Sequence, residues 1–328
     1  MSNLALVSVI MPAFNAAPWI AAAIASVLNQ SHRNLELLIV DDGSQDQTHQ
    51  IAQSFSDPRV RLFSQSKQGA AAARNRAMSE AKGDFFQFLD ADDLLNADKL
   101  AVQVSCVPWI SRDNLLSGRW RRFVDTPETF LEIPDSLWQD MEPHVFLQRS
   151  LRHNQMMHPA AWLVPRELAI LAGEWDPRIT VNDDGEYFAR VVSHARGIHF
   201  VDSSISWYRS NIVGSLSGRQ GPESAASQAL ALGQIAKTLV GLDCSEESLT
   251  AIAIARARLS LSLWPDQKDL SLALATDTPE AAFTTAGKER PRAYQFTAPL
   301  LGWRNARTFE QSVSNLRKRL LSYSAQDP

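Results

Sequence analysis

Three carboxylates lie within four positions of one another, directly after an apolar run. The run is FFQFL, residues 85–89, and Asp90, Asp92 and Asp93 follow it. Like charges at this spacing repel each other, and each carboxylate loses favourable hydration when it leaves water. A divalent cation would offset both effects, because Mg²⁺ and Mn²⁺ prefer carboxylate and phosphate oxygens. A helix start capped by Asp92 or Asp93 is the simpler alternative, and the spacing alone leaves both interpretations open.

Acidic pairs recur at two other places. Asp41 and Asp42 follow the apolar run LELLIV, residues 35–40, where a carboxylate could accept a hydrogen bond from a nucleoside base or ribose. Asp183 and Asp184 precede apolar residues at helical spacing, where a carboxylate could act as a general base toward an acceptor hydroxyl. Turn formation is the alternative for the first pair, and helix capping is the alternative for the second.

A basic segment, KQGAAAARNRA, covers residues 67–77. It places Lys67 and Arg74 near a predicted helix N-terminus, where backbone N–H groups and basic side chains favour phosphate. Neither GxxxxGK[ST] nor GxGxxG is present in the chain. The segment therefore predicts anion binding, but it does not favour a P-loop ATPase or a dinucleotide-dependent dehydrogenase.

The first hundred residues alternate between apolar runs and stretches with helical spacing. The predicted strands are residues 4–12, 35–40, 60–64 and 84–89, and the predicted helices are residues 17–30, 47–55 and 70–81. Such alternation predicts a parallel sheet covered on both faces, with ligands bound beyond the carboxyl ends of its strands. The candidate residues that follow these four strands should therefore share one cleft: Phe14, Asn15, Asp41, Asp42, Lys67, Gly69, Asp90, Asp92 and Asp93.

The composition is that of an ordinary globular protein. The chain has 328 residues, of which 45% are hydrophobic, and a net charge of −4. This balance provides no general field for a phosphate backbone, so nucleic acid is not an expected partner. No apolar stretch reaches the roughly 20 residues that cross a bilayer, and the two cysteines show no metal-type spacing. We therefore expect a cytoplasmic protein, at most peripheral at the inner membrane.

Five segments, in this order, resemble the family 2 inverting glycosyltransferases with the GT-A fold. They are VSVIMPAFN, LELLIVDDGSQDQT, GAAAARNRAM, GDFFQFLDADD and NDDGEYFARVV, and the resemblance covers about residues 5–210. It implies an α/β fold with a GT-A-like, Rossmann-related, mostly parallel sheet flanked by helices. It also implies a UDP- or GDP-sugar donor, a divalent cation (Mg²⁺ or Mn²⁺) and hexosyl transfer with inversion.

The resemblance assigns roles to individual residues. The metal-binding Asp-X-Asp falls on Asp90 and Asp92, with Asp92 the expected direct ligand and Asp93 a helper. The base motif falls on Asp183 and Asp184, with Asp184 the expected catalytic base and Asp183 a departure from the usual Glu. The remaining expected substrate-binding residues are Pro12, Phe14, Asn15, Asp42, Lys67 and Arg74. Ala13 replaces a frequent Thr or Ser, which leaves the nucleoside base open.

The loss of regular alternation after about residue 107 and a change of composition beyond Gly221 suggest how the chain is divided. A GT-A-like catalytic domain is expected over residues 1–220, with a donor half (1–105) and a Trp-rich acceptor half (106–220). A helical C-terminal region, rich in alanine and leucine, is expected over 221–328. The expected acceptor is a saccharide or a lipid-linked saccharide, as in polysaccharide biosynthesis. Basic residues near the C-terminus, together with an apolar stripe from Val313 to Tyr323, suggest peripheral membrane contact, although solvated charge is the simpler interpretation.

Two other functions fit part of the pattern. A nucleotidyltransferase also places strand-end carboxylates on a metal, but its Gly-rich basic loop is not found in PAFNAAPW, residues 12–19. A non-catalytic protein on the same fold would bind the donor without transferring its sugar. His158 and His199 could each add a metal ligand, but a lone histidine is more often a packed or exposed side chain. Tyr208 and Arg209 precede a Gly/Ser segment that resembles a family loop over the donor phosphates.

Overall fold

The computed structural model describes residues 5–107, 112–127, 135–210 and 221–324, with side chains described as far as Asn315. The described residues form these strands in chain order: Val7–Ala13 (β1), Leu35–Asp41 (β2), Val60–Ser64 (β3), Phe85–Phe88 (β4), Leu94–Leu95 (β5), Asn114–Phe123 (β6), Val164–Pro165 (β7) and Gly197–Arg209 (β8). The described α-helices are Ile20–Leu28 (α1), Thr48–Gln53 (α2), Ala70–Glu80 (α3), Lys99–Cys106 (α4), Pro143–His153 (α5), Arg166–Ala172 (α6), Asp183–His194 (α7), Pro222–Leu242 (α8), Glu246–Leu263 (α9), Lys268–Ala275 (α10), Glu280–Gly287 (α11) and Arg292–Ser324 (α12).

The main sheet has the strand order β3-β2-β1-β4-β7. Strands β1 to β4 run parallel, and only β7 is antiparallel. Every residue of β1 and β2 is buried, as expected for strands covered by helices on both faces. The predicted mostly parallel sheet flanked by helices is therefore confirmed, and the predicted elements shift by only a few residues at their ends.

The carboxyl ends of the parallel strands meet at one edge. Ala13 of β1 pairs with Asp41 of β2, and Asp41 pairs with Ser64 of β3. Strand β4 pairs with β1 only as far as Ile10. Pro12, which has no N–H for a sheet hydrogen bond, therefore lies where one side of β1 is no longer paired with β4. This opening forms the floor of the cleft described below.

A smaller sheet, β5-β8-β6, extends the fold beyond β4. Leu94 of β5 pairs with Trp207 of β8, so the segment after Asp93 is extended rather than helical. The suggested helix start capped by Asp92 or Asp93 is therefore wrong, and α4 begins only at Lys99. The antiparallel pairing brings the end of β8 beside the acidic turn.

Two tryptophans of the middle third fill the core, and Trp120 and Trp138 are half-buried against it, while Trp109 lies outside the described residues. Trp162 and Trp175 are fully buried. Trp175 stacks on Tyr187 with 4.1 Å between the ring centroids, and Phe88 packs edge-on against both rings. This aromatic cluster lies beneath α7 and attaches its N-terminus to strand β4.

From Pro222 onward the described chain is helical. Helices α8 and α9 pack on α5 and α7, and a separate core forms around Phe283, Tyr294 and Trp303. Helix α12 is kinked at Gly302, whose φ of 73° lies in the left-handed region that favours glycine. Within the described ranges no helix has both the length and the apolar character needed to cross a bilayer. The domain limits 1–220 and 221–328 remain predictions.

Candidate active site

A cleft of about 1330 Å³ lies over the carboxyl ends of β1, β2 and β4. All ten residues expected to act in catalysis, substrate binding or metal binding line this cleft: Pro12, Phe14, Asn15, Asp42, Lys67, Arg74, Asp90, Asp92, Asp183 and Asp184. Helices α5, α8, α9 and α11 also contribute lining residues, so the cleft continues toward the C-terminal helices. The structure therefore brings together residues from the separate segments, while their individual roles remain predictions.

Asp42 holds the loop that follows β3. Its Oδ1 accepts hydrogen bonds from the backbone N–H of Gln68 at 2.8 Å and from Gln65 Nε2 at 2.7 Å. Its Oδ2 accepts from the N–H of Gly69 at 2.7 Å, just before α3. A carboxylate has about four acceptor positions, so one remains for a nucleoside donor. Asp42 is thus a structural anchor whether or not it contacts a substrate.

Phe14, Asn15 and Lys67 form the rim of the cleft on this side. Asn15 adopts φ 49°, donates its N–H to Ser44 Oγ at 3.0 Å and accepts from the N–H of Gln45 at 2.8 Å. These bonds join the loop after β1 to the loop after β2. Lys67 Nζ lies 4.0 Å from the centroid of the Phe14 ring. The rim therefore presents an aromatic face and a cation, a combination suited to a nucleoside and its phosphate.

Arg74 links the two acidic segments that the sequence places far apart. Its guanidinium donates to Asp90 Oδ1 and to Asp183 Oδ2, both at 2.8 Å, and its Cζ lies 4.4 Å from the centroid of the Trp175 ring. Burial alone would lower the pKa of Arg74, but the charges of Asp90 and Asp183 outweigh burial and raise the pKa. Arg74 therefore fixes the distance between the turn after β4 and the start of α7. Direct contact with phosphate remains a prediction.

Asp92 differs from its neighbours, because no other residue of the described chain donates a hydrogen bond to its carboxylate. Burial raises the pKa of Asp92 to about 8, and the charges of Asp93 and Asp90 add to that rise. The ionised form is therefore poorly compensated by the protein. A carboxylate with these properties at the wall of a cleft is the expected ligand for an added cation.

Asp93, by contrast, is turned inward and paired, although burial still raises its pKa. Its Oδ2 lies 2.9 Å from His158 Nε2, and its Oδ1 accepts from the N–H of Arg209 at 2.7 Å. Burial lowers the pKa of His158, but the charge and hydrogen bond of Asp93 reverse the effect and raise it. His158 Nδ1 in turn accepts from the N–H of Ala160 at 3.2 Å. The suggestion that His158 is a metal ligand is therefore not supported, since both ring nitrogens are occupied.

His199, the other histidine considered as a ligand, lies away from the catalytic carboxylates. Its Nδ1 is 3.1 Å from Asp140 Oδ2, and it does not line the cleft. Among the described residues no group of three or more His, Cys, Asp or Glu side chains could by itself hold a metal ion. A site with one or two carboxylates, completed by substrate phosphates, does not need such a group. The oxygen donors of Asp92 and Asp90 fit this kind of site.

Sequence reasoning missed a buried polar network that holds the backbone just after His158. Three consecutive backbone carbonyls, those of Ala160, Ala161 and Trp162, accept hydrogen bonds from buried side chains. The donors are Gln87 Nε2 at 3.0 Å, Gln103 Nε2 at 3.1 Å and Lys99 Nζ at 3.0 Å, respectively. Burial holds the pKa of Lys99 well below its usual range. Polar residues inside otherwise apolar runs were the available signal, but their partners lie about 60 to 70 positions away and cannot be inferred from spacing.

Two arginines complete the far wall of the cleft. Arg209 Nε donates to the Asp92 carbonyl at 3.0 Å, which fastens the acidic turn to the end of β8. Arg122 lines the cleft and packs its guanidinium on Trp120 and Tyr208, with no carboxylate partner among the described residues. Sequence analysis did not single out Arg122. The Gly/Ser segment expected over the donor phosphates falls mainly on residues 211–220, which lie outside the described residues.

Asp184 lies in the first turn of α7, which begins at Asp183. Its Oδ1 accepts from the N–H of Gly185 at 2.8 Å. Burial raises the pKa of Asp184 to about 6, the charge of Asp183 adds to the rise, and Arg74 and His158 oppose it. A carboxylate with a pKa near neutrality is well matched to general-base catalysis. The geometry therefore supports a proton acceptor at this end of the cleft.

Known proteins show similar sequences and a similar fold. The sequence model of glycosyl transferase family 2 matches residues 8–170. The Escherichia coli UDP-Glc:alpha-D-GlcNAc-diphosphoundecaprenol beta-1,3-glucosyltransferase WfgD is 48% identical over 101 residues, which are 30% of this chain and 40% of that protein. The Bacillus subtilis putative teichuronic acid biosynthesis glycosyltransferase TuaG is 39% identical over 140 residues, which are 41% of this chain and 56% of that protein. The chain thus spans roughly half of the length of these relatives.

Among solved structures, residues 1–349 of Staphylococcus aureus TarS in complex with UDP-GlcNAc match with a TM-score of 0.70. The match covers 94% of this chain and 91% of that one at 19% sequence identity. The complex of the same protein with UDP matches with a TM-score of 0.68. At this identity the likeness establishes the fold alone, and the family rests on the sequence match. The chain therefore belongs to glycosyl transferase family 2 and has the GT-A fold.

Proposed function

We propose that this protein transfers a hexose from a nucleotide-sugar donor to an acceptor hydroxyl, with inversion at the anomeric carbon and with the help of a divalent cation. One observation carries the proposal. The uncompensated Asp92 carboxylate and the buried Asp184 carboxylate line the same cleft, and Arg74 joins their two segments. The first supplies a place for a cation with the donor diphosphate, and the second supplies a base for the acceptor.

The donor that this proposal favours is a UDP-sugar rather than a GDP-sugar. TarS, which shares the fold, was solved with UDP-GlcNAc and with UDP, and the name of WfgD specifies UDP-Glc. The Phe14 face and the remaining acceptor position of Asp42 would receive the nucleoside, and Lys67 and Arg122 would lie toward the phosphates. The identity of the hexose is left open.

Asp92, assisted by Asp90, would hold the Mg²⁺ or Mn²⁺ ion. When bound, the ion supplies positive charge that stabilises the departing diphosphate. The protein's own groups do the remaining work. Asp184 takes the proton of the acceptor hydroxyl as that oxygen bonds to the anomeric carbon, and the donor phosphate oxygen leaves from the opposite face. Arg74 holds Asp183 and Asp90 at a fixed distance from each other. It would thereby hold the base beside Asp183 at a fixed distance from the cation site beside Asp90.

The proposed acceptor is a saccharide or a lipid-linked saccharide of polysaccharide biosynthesis, used in the cytoplasm. The name of WfgD specifies an acceptor carried on diphosphoundecaprenol, and that of TuaG specifies teichuronic acid biosynthesis. In this chain the cleft continues from Asp184 toward the C-terminal helices, where Leu232, Leu259 and Met156 contribute apolar surface. That extension provides space for an acceptor larger than a single sugar.

A thermal-shift panel of nucleoside diphosphates and nucleotide sugars, with and without Mn²⁺, tests the donor and the cation. We expect UDP and UDP-sugars to raise the melting temperature, and Mn²⁺ to enlarge that rise. A larger response to nucleoside triphosphates would favour a nucleotidyltransferase. Binding of UDP-sugars without any release of UDP, either in water or with added acceptor lipids, would favour a non-catalytic binding protein.

A further inference from the structure

The largest exposed apolar side chains of the described chain include a pair on helix α12. Leu300 is 84% exposed and Phe296 is 75% exposed, and Leu301 beside them is 49% exposed. Arg292, Phe296 and Leu300 follow one another at intervals of four, so they share one face of the helix. The helix is anchored on both sides of the Gly302 kink, because Tyr294 before it is buried and Trp303 after it stacks on Phe283 with 4.7 Å between the ring centroids.

The charges around this face are unbalanced. Residues 288–315 contain five basic residues and two acidic ones, Glu289 and Glu310. Glu289 pairs with Arg258 at 2.8 Å, and Glu310 pairs with Arg290 at 2.9 Å and with Arg307 at 3.5 Å. The three basic residues without a carboxylate partner among the described residues are all exposed: Lys288, Arg292 and Arg304. Every acid of the segment is therefore neutralised, while three cations face solvent beside exposed apolar side chains.

We propose that the exposed surface of α12 before the Gly302 kink, formed by Arg292, Phe296, Leu300 and Leu301, is a docking surface for an anionic lipid bilayer, with Lys288 and Arg304 as the flanking cations. Exposed apolar side chains next to unpaired cations are the combination that inserts at a negatively charged membrane interface. Burial of Phe296 and Leu300 among acyl chains would remove the largest apolar exposure on α12. The cations would meet lipid headgroup phosphates.

The position of the face connects it with the cleft. Arg290 and Ala286 line the helical end of the cleft, and α12 begins two residues after Arg290. A bilayer docked on α12 would thus lie near the end of the cleft that we assign to the acceptor. This inference rests on the proposed function in one respect, since a lipid-linked acceptor would be presented at such a bilayer.

Sedimentation of the full chain with lipid vesicles tests the docking surface. We expect the protein to pellet with phosphatidylglycerol vesicles at low salt, to pellet less at high salt, and to stay in solution with pure phosphatidylcholine. The double variant Phe296→Ser/Leu300→Ser should lower the partition coefficient at least about tenfold. Arg292→Gln and Arg304→Gln should each lower it about fivefold on anionic vesicles only.

A matched control uses two other exposed apolar residues. Ile170 and Leu171 on α6 are 65% and 61% exposed. They lie outside residues 288–315, the segment that carries the unpaired cations. Ile170→Ser/Leu171→Ser should bind vesicles as the wild type does. All of these substitutions are at the surface, so unchanged melting temperatures would show that the variants fold.

Three results would overturn the inference. They are failure of the wild type to pellet with anionic vesicles at low salt, equal pelleting of the Phe296→Ser/Leu300→Ser variant, and a dimer in light scattering that this variant abolishes without vesicle binding. The last result would make the face an interface between copies. Because sedimentation needs neither donor nor acceptor, vesicle binding without sugar transfer would leave this surface correct and the proposed function wrong.

Discussion

The turns after β2 and β4 both place neighbouring carboxylates at the same edge of the sheet, but the protein compensates them in opposite ways. After β2, Asp42 accepts three hydrogen bonds from its surroundings, and Asp41 accepts from the N–H of Ser44 at 3.1 Å. After β4, Asp90 and Asp93 are paired with side chains from distant segments, while Asp92 receives no hydrogen bond from any other described residue.

This difference separates carboxylates that stabilise the fold, such as Asp42, from the Asp92 carboxylate, which lacks a compensating charge or donor. The Asp42 carboxylate stabilises the loop between β3 and α3, because its charge meets N–H donors. The Asp92 carboxylate is a source of instability until a positive charge arrives. Adjacent acids in a motif therefore need not share a role, and the contacts of each oxygen decide which one has a functional task.

Replacing Asp92 by Asn should have the largest effect on activity and an unusual effect on stability. Turnover should fall roughly 10³-fold or more, because the leaving diphosphate loses its cation. The pKa of Asp92 is about 8 in the folded protein, which lies above its value in the unfolded chain. The free energy of unfolding of the wild type therefore falls as the pH rises from the unfolded pKa to about 8. The variant escapes that loss, and without ligands its melting temperature at about pH 9 should exceed that of the wild type by roughly 1–3 °C.

The control for this substitution is the same pair of measurements near pH 4, where the wild-type carboxyl is protonated. The two melting temperatures should there be nearly equal. A destabilised Asn variant at high pH would show that the Asp92 charge is compensated after all.

Replacing Asp184 by Asn should have the next largest effect. The charge of Asp184 is compensated less than that of Asp42 and more than that of Asp92. Burial and the charge of Asp183 raise its pKa, and Arg74 and His158 partly offset that rise. Loss of the base should lower kcat by about 10²- to 10⁴-fold. Donor affinity, measured as UDP-dependent thermal stabilisation with Mn²⁺, should be unchanged. Near wild-type turnover in the variant would remove Asp184 from the catalytic role.

Replacing His158 by Gln tests the compensated side of the β4 turn. Loss of the pair with Asp93 should loosen the turn and weaken Mn²⁺ binding about 10- to 100-fold, as for other residues that orient a metal ligand. Titration of Mn²⁺ by electron paramagnetic resonance in the presence of UDP gives the affinity directly. His199→Gln is the matched control, because its pair with Asp140 lies outside the cleft. Equal affinities in the two variants would contradict the positioning role.

The pH dependence should follow Asp184. Its pKa of about 6 means that the base is ionised above that pH and protonated below it. At saturating Mn²⁺ and donor, kcat should therefore fall about tenfold for each pH unit below about 6. A kcat that stays level down to about pH 5 would show that another group accepts the proton.

Replacing Asp42 by Asn should have the smallest effect on kcat and should mark the contrast with Asp92. The amide retains one acceptor oxygen but loses charge-assisted bonds to the loop of residues 65–69, so unfolding free energy should fall by about 1–3 kcal/mol. The KM for the donor should rise, with kcat little changed. Urea denaturation and initial-rate kinetics check both statements. A gain in stability would show that the charge of Asp42, like that of Asp92, is not compensated by the protein.

The sequence could predict the main sheet because its strands and helices follow simple periods. Residues 60–64 and 70–81, for example, were expected as strand and helix and appear as Val60–Ser64 and Ala70–Glu80. The shared cleft followed from strand order alone. The pairing of Arg74 with Asp183 and of Asp93 with His158 could not be predicted, because the partners lie 109 and 65 residues apart and meet only after packing. The two-residue strand β5 was too short to distinguish from a helix start.

The central claim is that Asp92, and not the equally acidic turn after β2, holds the divalent cation. A crystal grown with UDP and Mn²⁺, and measured for the anomalous signal of manganese, tests it most directly. We predict one anomalous peak between the UDP diphosphate and an Asp92 oxygen, at roughly 2.0–2.3 Å from that oxygen. UDP bound in the cleft without manganese, or manganese bound at Asp42 instead, would contradict the account.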